Sequence, residues 1–398
     1  MKLNIKLIAA LGLLIVSANS CTDRFEELNT NPNTVTEDII DPDLLFTRVE
    51  KVAVFSLYDG TEAAWAGYTV NTGAAYFRTM DRSGIYNNSY KSYLINLNEV
   101  IRLTADNPDL INKNSIARIF RVWVYQRLTD TYGDVPYTEA ALKAEDAITS
   151  PAYDTQESIY VDMLKELKEA SALLNDNGDL IGFGDADLLY AGDVNKWRRF
   201  ANSLRLRLAM RIRHADKNLA KDQVTDVLKS DLLSGNDDNA SITTNTDVRD
   251  NMSPIYLNWD AGDRARPWIA GQTIVENLKK NNDPRLPVYV DPAPDGTSGY
   301  RGLPIALYLD EKLAYPEGSF SFIGAYFYSS PIIKINILTY AEVEFLRAEA
   351  ALLGWGTGDA ETYYRDGITA AMQNTQKLME MAEPEVDIPG SVALTDAE

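Results

Sequence analysis

Two stretches of this chain set aromatic rings among short polar side chains and glycine. The first, "AAWAGYTVNTGAAYFRTMDRSGIYNNSYKSY", carries Trp65, Tyr68, Asn71, Tyr76, Arg78, Asp81, Tyr86, Asn87 and Tyr90. The second, "IYLNWDAGDRARPWIAG", carries Trp259, Asp260, Asp263, Arg264, Arg266 and Trp268. Flat rings of this kind lie against the C–H face of a pyranose, while amides, carboxylates and guanidinium groups take its hydroxyls. A few such anchors carry much of a binding energy. Any one of these rings could equally fill a core or a helix–loop seam. The expectation is that at least one of them meets a ligand, in loop-rich surroundings.

Other chemistries have less to work with. The single histidine, His214, follows an arginine-rich helical stretch and reads as a helix-end residue, not a catalyst. One cysteine, Cys21, allows no internal disulfide and no thiolate zinc site. Against 38 basic residues stand 58 acidic ones, a net charge of −20 that repels nucleic acid and anionic lipid head groups. A glycosidase needs only two carboxylates, so that class stays open by counting. No nucleophile elbow, HExxH helix, P-loop or dinucleotide fingerprint is present. The aspartates of "NDNGDLIGFGDAD" depart from the EF-hand register and read as a solvated acidic loop. We therefore expect a non-enzymatic protein with no metal and no cofactor.

The elements around these residues can be sketched. Lys2 and Lys6 precede "LIAALGLLIV", an apolar run of about ten residues, which fits a signal peptide and falls short of a bilayer span. Ala18, Asn19 and Ser20 lead into Cys21 in a pattern that resembles a bacterial lipobox, although Ala18 stands where many have leucine. An ordinary secretory signal with an incidental cysteine is the alternative. Residues 1–20 are thus expected to be a lipoprotein signal and 21–40 a lipidated tether. No second apolar run reaches spanning length, so acyl chains on Cys21 would anchor the protein without embedding it.

Helical periodicity dominates the rest. "SIARIFRVWVYQRLTDTYG" sets Ile116, Ile119, Phe120, Trp123 and Arg127 at helical spacing, with Gly133 closing the run. "TQESIYVDMLKELKEASALL" puts Ile159, Met163, Leu167 and Ala170 on one face, and "NKWRRFANSLRLRLAMRI" stripes Trp197, Phe200, Leu204, Leu208 and Ile212. Arginines 198, 199, 205, 207, 211 and 213 fill the other faces of that last helix and are expected to pair with neighbouring carboxylates. Nine prolines between Pro254 and Pro331 predict loops and short strands over roughly 234–336. Helix returns near 337–375. There Ala348, Ala360, Tyr364 and Gly367 match the small–small–aromatic–small pattern of a tetratricopeptide helix pair, with Tyr364 expected to fill the groove. A generic helical hairpin is the alternative.

Five segments, in order, resemble the SusD/RagB family of nutrient-binding outer-membrane lipoproteins of Bacteroidetes. They are "CTDRFEELNTNPN", "DTYGDVPYTEA", "YAGDVNKWRRFANSLRLRLAMRI", "NDPRLPVYV" and "LTYAEVEFLRAEAALLGW". The resemblance implies a mainly α SusD-like fold over 41–398. Tetratricopeptide-type helix pairs would form a scaffold at roughly 91–233 and 337–375, with an irregular ligand-binding region packed on it. It further implies a lid on a SusC-like TonB-dependent transporter, taking an oligomeric nutrient, usually a glycan and in some members a peptide. Such proteins normally continue past "VDIPGSVALTDAE" into a further helix, so the chain reads as C-terminally shortened. No ligand-binding role is carried over residue by residue. Two other functions are weighed beside this one, a helical-repeat adaptor for envelope proteins and a surface glycan hydrolase.

Overall fold

The computed structural model describes residues 40–380, apart from 60–62, 65, 71–82, 142–147, 179, 262–267, 305–315 and 317. Cys21, the signal segment and the tether to residue 39 lie outside the described residues, as does the expected shortened end at 381–398.

Ten helices among the described residues have eight or more residues, and some of them begin where a side chain accepts the free N–H groups of a first turn. They are α1 (Pro42–Phe55), α2 (Ile95–Ala105), α3 (Ile111–Tyr132), α4 (Gln156–Leu173), α5 (Val194–Arg211) and α6 (Lys217–Val227). Then come α7 (Pro254–Ala261), α8 (Gln272–Lys280), α9 (Tyr340–Leu352) and α10 (Ala360–Glu380). Thr155, Asp193, Asp216 and Thr339 cap α4, α5, α6 and α9 through their side-chain oxygens. Gly133 ends α3 at φ 76°, a backbone state that glycine adopts without penalty. None of the helices among the described residues is long and apolar enough to cross a membrane.

Each helix from α2 to α6 packs on the next, α9 packs on α10, and α9 also meets α5. The stripes read from the sequence face one another: Ile116, Phe120, Ile159, Met163, Trp197, Phe200 and Leu204 are all fully buried. Aromatic rings fasten α1 to this core. Phe46 stacks on Phe183 at 4.2 Å and meets Phe120 and Trp197 at 5.9 and 6.2 Å. Asp187 sits beneath them. It accepts from the Trp197 indole at 2.6 Å and from the backbone N–H groups of Leu189, Tyr190 and Gly192. The acidic loop expected to be solvated thus turns its last aspartate inward. Glu50 of α1, also buried, accepts from the Leu188 N–H at 2.7 Å.

The arginines of α5 divide as charge pairing demands. Arg199 meets Asp238, Arg205 meets Asp226, Arg207 meets Glu342, Arg211 meets Asp130 and Arg213 meets Glu349, at 2.6 to 3.1 Å. Arg198 donates instead to Asn195 and to the Leu174 carbonyl. Because these partners sit on α3, α6, α9 and a turn, one helix cross-links much of the scaffold.

Two expectations change. The 234–336 region contains α7 and α8, because Pro254 opens a helix at its first position instead of breaking one. Tyr364 is 54% exposed and tilts over Phe345 at 5.7 Å, so it does not fill the α9/α10 groove. Gly367 does serve as expected: a Cβ there would lie 2.7 Å from the Phe345 ring.

Strands are short. β1 (Thr69–Val70) pairs antiparallel with β3 (Ile269–Ala270), and β2 (Ala240–Thr243) pairs antiparallel with β4 (Lys334–Leu338), with a bulge between Ala240 and Ser241.

Candidate functional site

The two-residue ribbon of β1 and β3 joins the two aromatic sequence clusters. Thr69 faces Ala270 and Val70 faces Ile269, so Tyr68 and Trp268 flank the same ribbon. The Gly271 N–H donates to the Tyr68 carbonyl at 2.9 Å, and the Ile323 N–H donates to the Trp268 carbonyl at 2.9 Å. A side chain at 271 would put its Cβ 2.0 Å from the Gly67 carbonyl oxygen, so only glycine allows the two backbones this close. Val70 and Ile269 of the ribbon pack with Leu303 and Phe320 in a small apolar cluster.

Tyr68 and Trp268 open onto a cleft of about 460 Å³. Tyr58, Tyr289 and Phe327 also line it, giving five aromatic side chains among the described walls. Tyr289 and Phe327 are stacked at 5.6 Å with 13° between their planes, and the Tyr289 hydroxyl lies 3.3 Å from Thr375 Oγ1 of α10. The scaffold therefore fixes one wall. Asn277 of α8 and Arg285 supply polar groups. Arg285 is braced by Asp283, with Nη2 to Oδ2 at 2.6 Å and Nε to Oδ1 at 2.9 Å. Burial works to raise the Asp283 carboxyl, but the hydrogen bonds from Arg285 outweigh it and hold the pKa below the ordinary range. The guanidinium is thus oriented before any ligand arrives. Tyr68 is 50% exposed.

The remaining sequence candidates fall elsewhere or outside. Trp65, Asn71, Tyr76, Arg78, Asp81, Asp263, Arg264 and Arg266 lie outside the described residues. Trp259 of α7 packs edge-on to Tyr328 at 5.5 Å and against Tyr256 at 6.0 Å. Asp260 faces Arg249 at 3.4 Å. Tyr86 belongs to a second group of rings on the scaffold, with Tyr90 at 4.8 Å and Tyr132 at 5.4 Å, and its hydroxyl lies 3.2 Å from that of Tyr153. Burial, then the Tyr153 hydroxyl, pushes the Tyr86 phenol up to about 12.

Tyr58, Asn277, Arg285, Tyr289 and Phe327 were missed as site residues. Arg285 and Tyr289 stand in "NDPRLPVYV", one of the segments that carried the resemblance, and that was the available signal. A larger cavity of about 660 Å³ lies beside α2, α3 and α4, but its polar groups are engaged with one another. Arg102 pairs with Glu99, Arg121 reaches Asn98 and Glu166, and the Tyr137 hydroxyl donates to Asp162. Among the described residues no group of three His, Cys, Asp or Glu side chains is placed to hold a metal ion.

Comparison with known proteins agrees with this architecture. Among proteins of curated function none matches the chain. A chitin-binding protein of known structure is 26% identical and superposes with a TM-score of 0.75, covering 87% of this chain and 77% of its own. A chitin-binding SusD homologue from Flavobacterium johnsoniae is 26% identical at a TM-score of 0.70, covering 84% and 70%. A SusD homologue from Bacteroides fragilis is 25% identical at 0.71, covering 86% and 74%. Residues 45–387 match the SusD-like family described as starch-binding and associating with the outer membrane. With that match spanning most of its length, the chain belongs to the SusD-like family.

Proposed function

We propose that this protein captures an oligomeric nutrient, most of all a glycan, at the cell surface and hands it to a SusC-like TonB-dependent transporter without chemically changing it. The observation that carries this proposal is the convergence of Tyr68 and Trp268 on one cleft, from segments far apart in sequence. Rings, an amide and a braced guanidinium are the groups that hold a saccharide, with stacking supplying energy and the polar atoms supplying orientation. The chitin-binding relatives support the same substrate class. In this proposal the ligand-binding part is the ribbon with the 234–336 region, the helices present it to the transporter, and acyl chains on Cys21 hold it at the outer membrane. We further propose Trp65, Asn71, Tyr76, Arg78, Asp81, Trp259, Asp263 and Arg266 as ligand-binding residues on the strength of their place in the two sequence clusters.

Affinity gel electrophoresis against a panel that includes starch and soluble chitin oligomers tests this. Retardation by at least one glycan, weakened in Trp268→Ala, is the expected result. Mobility unchanged across glycans and peptides would replace nutrient capture with an adaptor role, and release of smaller saccharides over time would make the protein a hydrolase. Incorporation of labelled palmitate, lost in Cys21→Ser, checks the anchor.

A further inference from the structure

Arg199 of α5 and Arg347 of α9 line one cavity of about 350 Å³, bounded by the turn after α6 and the loop that joins α9 to α10. Each guanidinium is held to its carboxylate by a single nitrogen. Arg199 Nη1 lies 3.1 Å from both oxygens of Asp238, and Arg347 Nη1 donates to Glu344 at 2.7 Å. Neither commits its Nε and Nη2 to a second carboxylate or to a carbonyl among the described residues. Arg118, Arg205 and Arg207, by contrast, spend that pair of nitrogens on side chains of other helices. The walls of the cavity are fixed. The Arg347 guanidinium stacks 4.0 Å over the Tyr363 ring, and the Tyr363 hydroxyl donates to the Thr357 carbonyl at 2.9 Å. The buried Trp355 anchors the loop through its N–H to the Ala350 carbonyl at 2.9 Å. Gly358, at φ 102°, clears the tyrosine: a Cβ there would fall 2.3 Å from its hydroxyl.

We propose that this cavity binds one carboxylate-bearing sugar ring, a uronic acid, with the acid group between Arg199 and Arg347. The Nε–Nη2 edge of a guanidinium matches a carboxylate through two parallel hydrogen bonds, so two such edges in one cavity suit a planar oxyanion. Two guanidinium groups here face a single acidic lining residue, Asp231, in a chain with a net charge of −20. The cavity is larger than a bare ion needs and lies near the lower end of the range for small-molecule sites. Leu228 and Leu232 give an apolar wall for ring C–H groups, while Ser230, Thr357 and Asp231 are there to take ring hydroxyls. None of these residues lines the aromatic cleft, so the site is additional to the one proposed above and does not depend on it.

Titration calorimetry at constant ionic strength tests the site. Glucuronate or galacturonate should bind saturably at one site, at least tenfold more tightly than glucose or acetate. Arg347→Lys keeps a positive charge beside Glu344 but loses the fork, and should weaken binding at least tenfold. Ser230→Trp occupies the cavity from an exposed position and should abolish binding with the denaturation midpoint unchanged. A galacturonate dimer binding more tightly than the monomer would identify a chain end as the ligand; equal or weaker affinity would identify the free sugar. No saturable binding of either acid, acetate binding as tightly as the sugar acids, or native affinity in either variant overturns the proposal. Trp268→Ala should bind the sugar acids like the native protein, and Arg347→Lys should keep any retardation by neutral glycans. Failure here and failure of glycan capture are therefore read independently.

Discussion

The scaffold and the cleft use the same residue types to opposite ends. Around Trp197 the rings are sealed: Phe46, Phe183 and Phe200 pack on it, and Asp187 takes its indole hydrogen. Around Trp268 it is the backbone that is tied down, by β1 and by Ile323, while the neighbouring Tyr68 ring stays half open to solvent. The guanidinium groups differ likewise. Arg205, Arg207 and Arg211 join helices, whereas Arg285 is clamped by a carboxylate two residues away and presented to a cavity. Pairing between elements makes a frame; pairing within one segment holds a group rigid at the wall of a cavity.

Substitutions should separate the two regions. Trp197→Ala removes a fully buried ring and leaves Asp187 without one donor, so it should cost about 3–5 kcal/mol in chemical denaturation. Gly271→Ala should cost roughly 1–3 kcal/mol through backbone collision and cut glycan retardation, because it pries β1 from β3. Equal retardation in that variant would show that the ribbon does not shape the site. Trp268→Ala should weaken binding about tenfold, on the order of 1.4 kcal/mol, while the denaturation midpoint moves little. Trp259→Ala then tests whether the surface extends over α7: a similar loss says that it does, an unchanged mobility confines binding to the cleft.

The smallest effect concerns pH. Burial, then the charge of Asp187, raises the Glu50 carboxyl well above the ordinary carboxylate range. The folded state therefore holds a proton that the unfolded state releases. Stability from this group is complete below about pH 4.5 and falls as pH rises from there through the folded value. Glu50→Gln should flatten that slope, read as a smaller loss of the denaturation midpoint between about pH 5 and pH 8 than in the native protein. A steeper alkaline decline in the variant would refute this account.

Periodicity made the helices legible: the Trp197 stripe and the Gly133 stop stand where spacing put them. The arginines announced pairing but not their partners, since choosing Glu342 for Arg207 requires knowing which helices meet. In the site, Tyr68 and Trp268 were readable as aromatic candidates, yet a ribbon of two residues per strand is too short to leave a periodic trace. Tyr58 and Tyr289 escaped notice because each sits in a stretch with no unusual ring density, whereas Phe327 stands between Tyr326 and Tyr328 in a dense run of rings that lacks the charged and amide partners of the two clusters. Pro254 misled because proline at a helix start and proline in a loop look alike without the following turn.

The β1–β3 ribbon also bears on how the molecule is made. Thr69 must wait for Ala270, about 200 positions later, whereas most scaffold helices meet a neighbour as soon as it emerges. During refolding α2 to α6 should set first and the ribbon close later. A chain arrested before β3 would hold those helices and lack the ribbon, together with α8, α9 and α10.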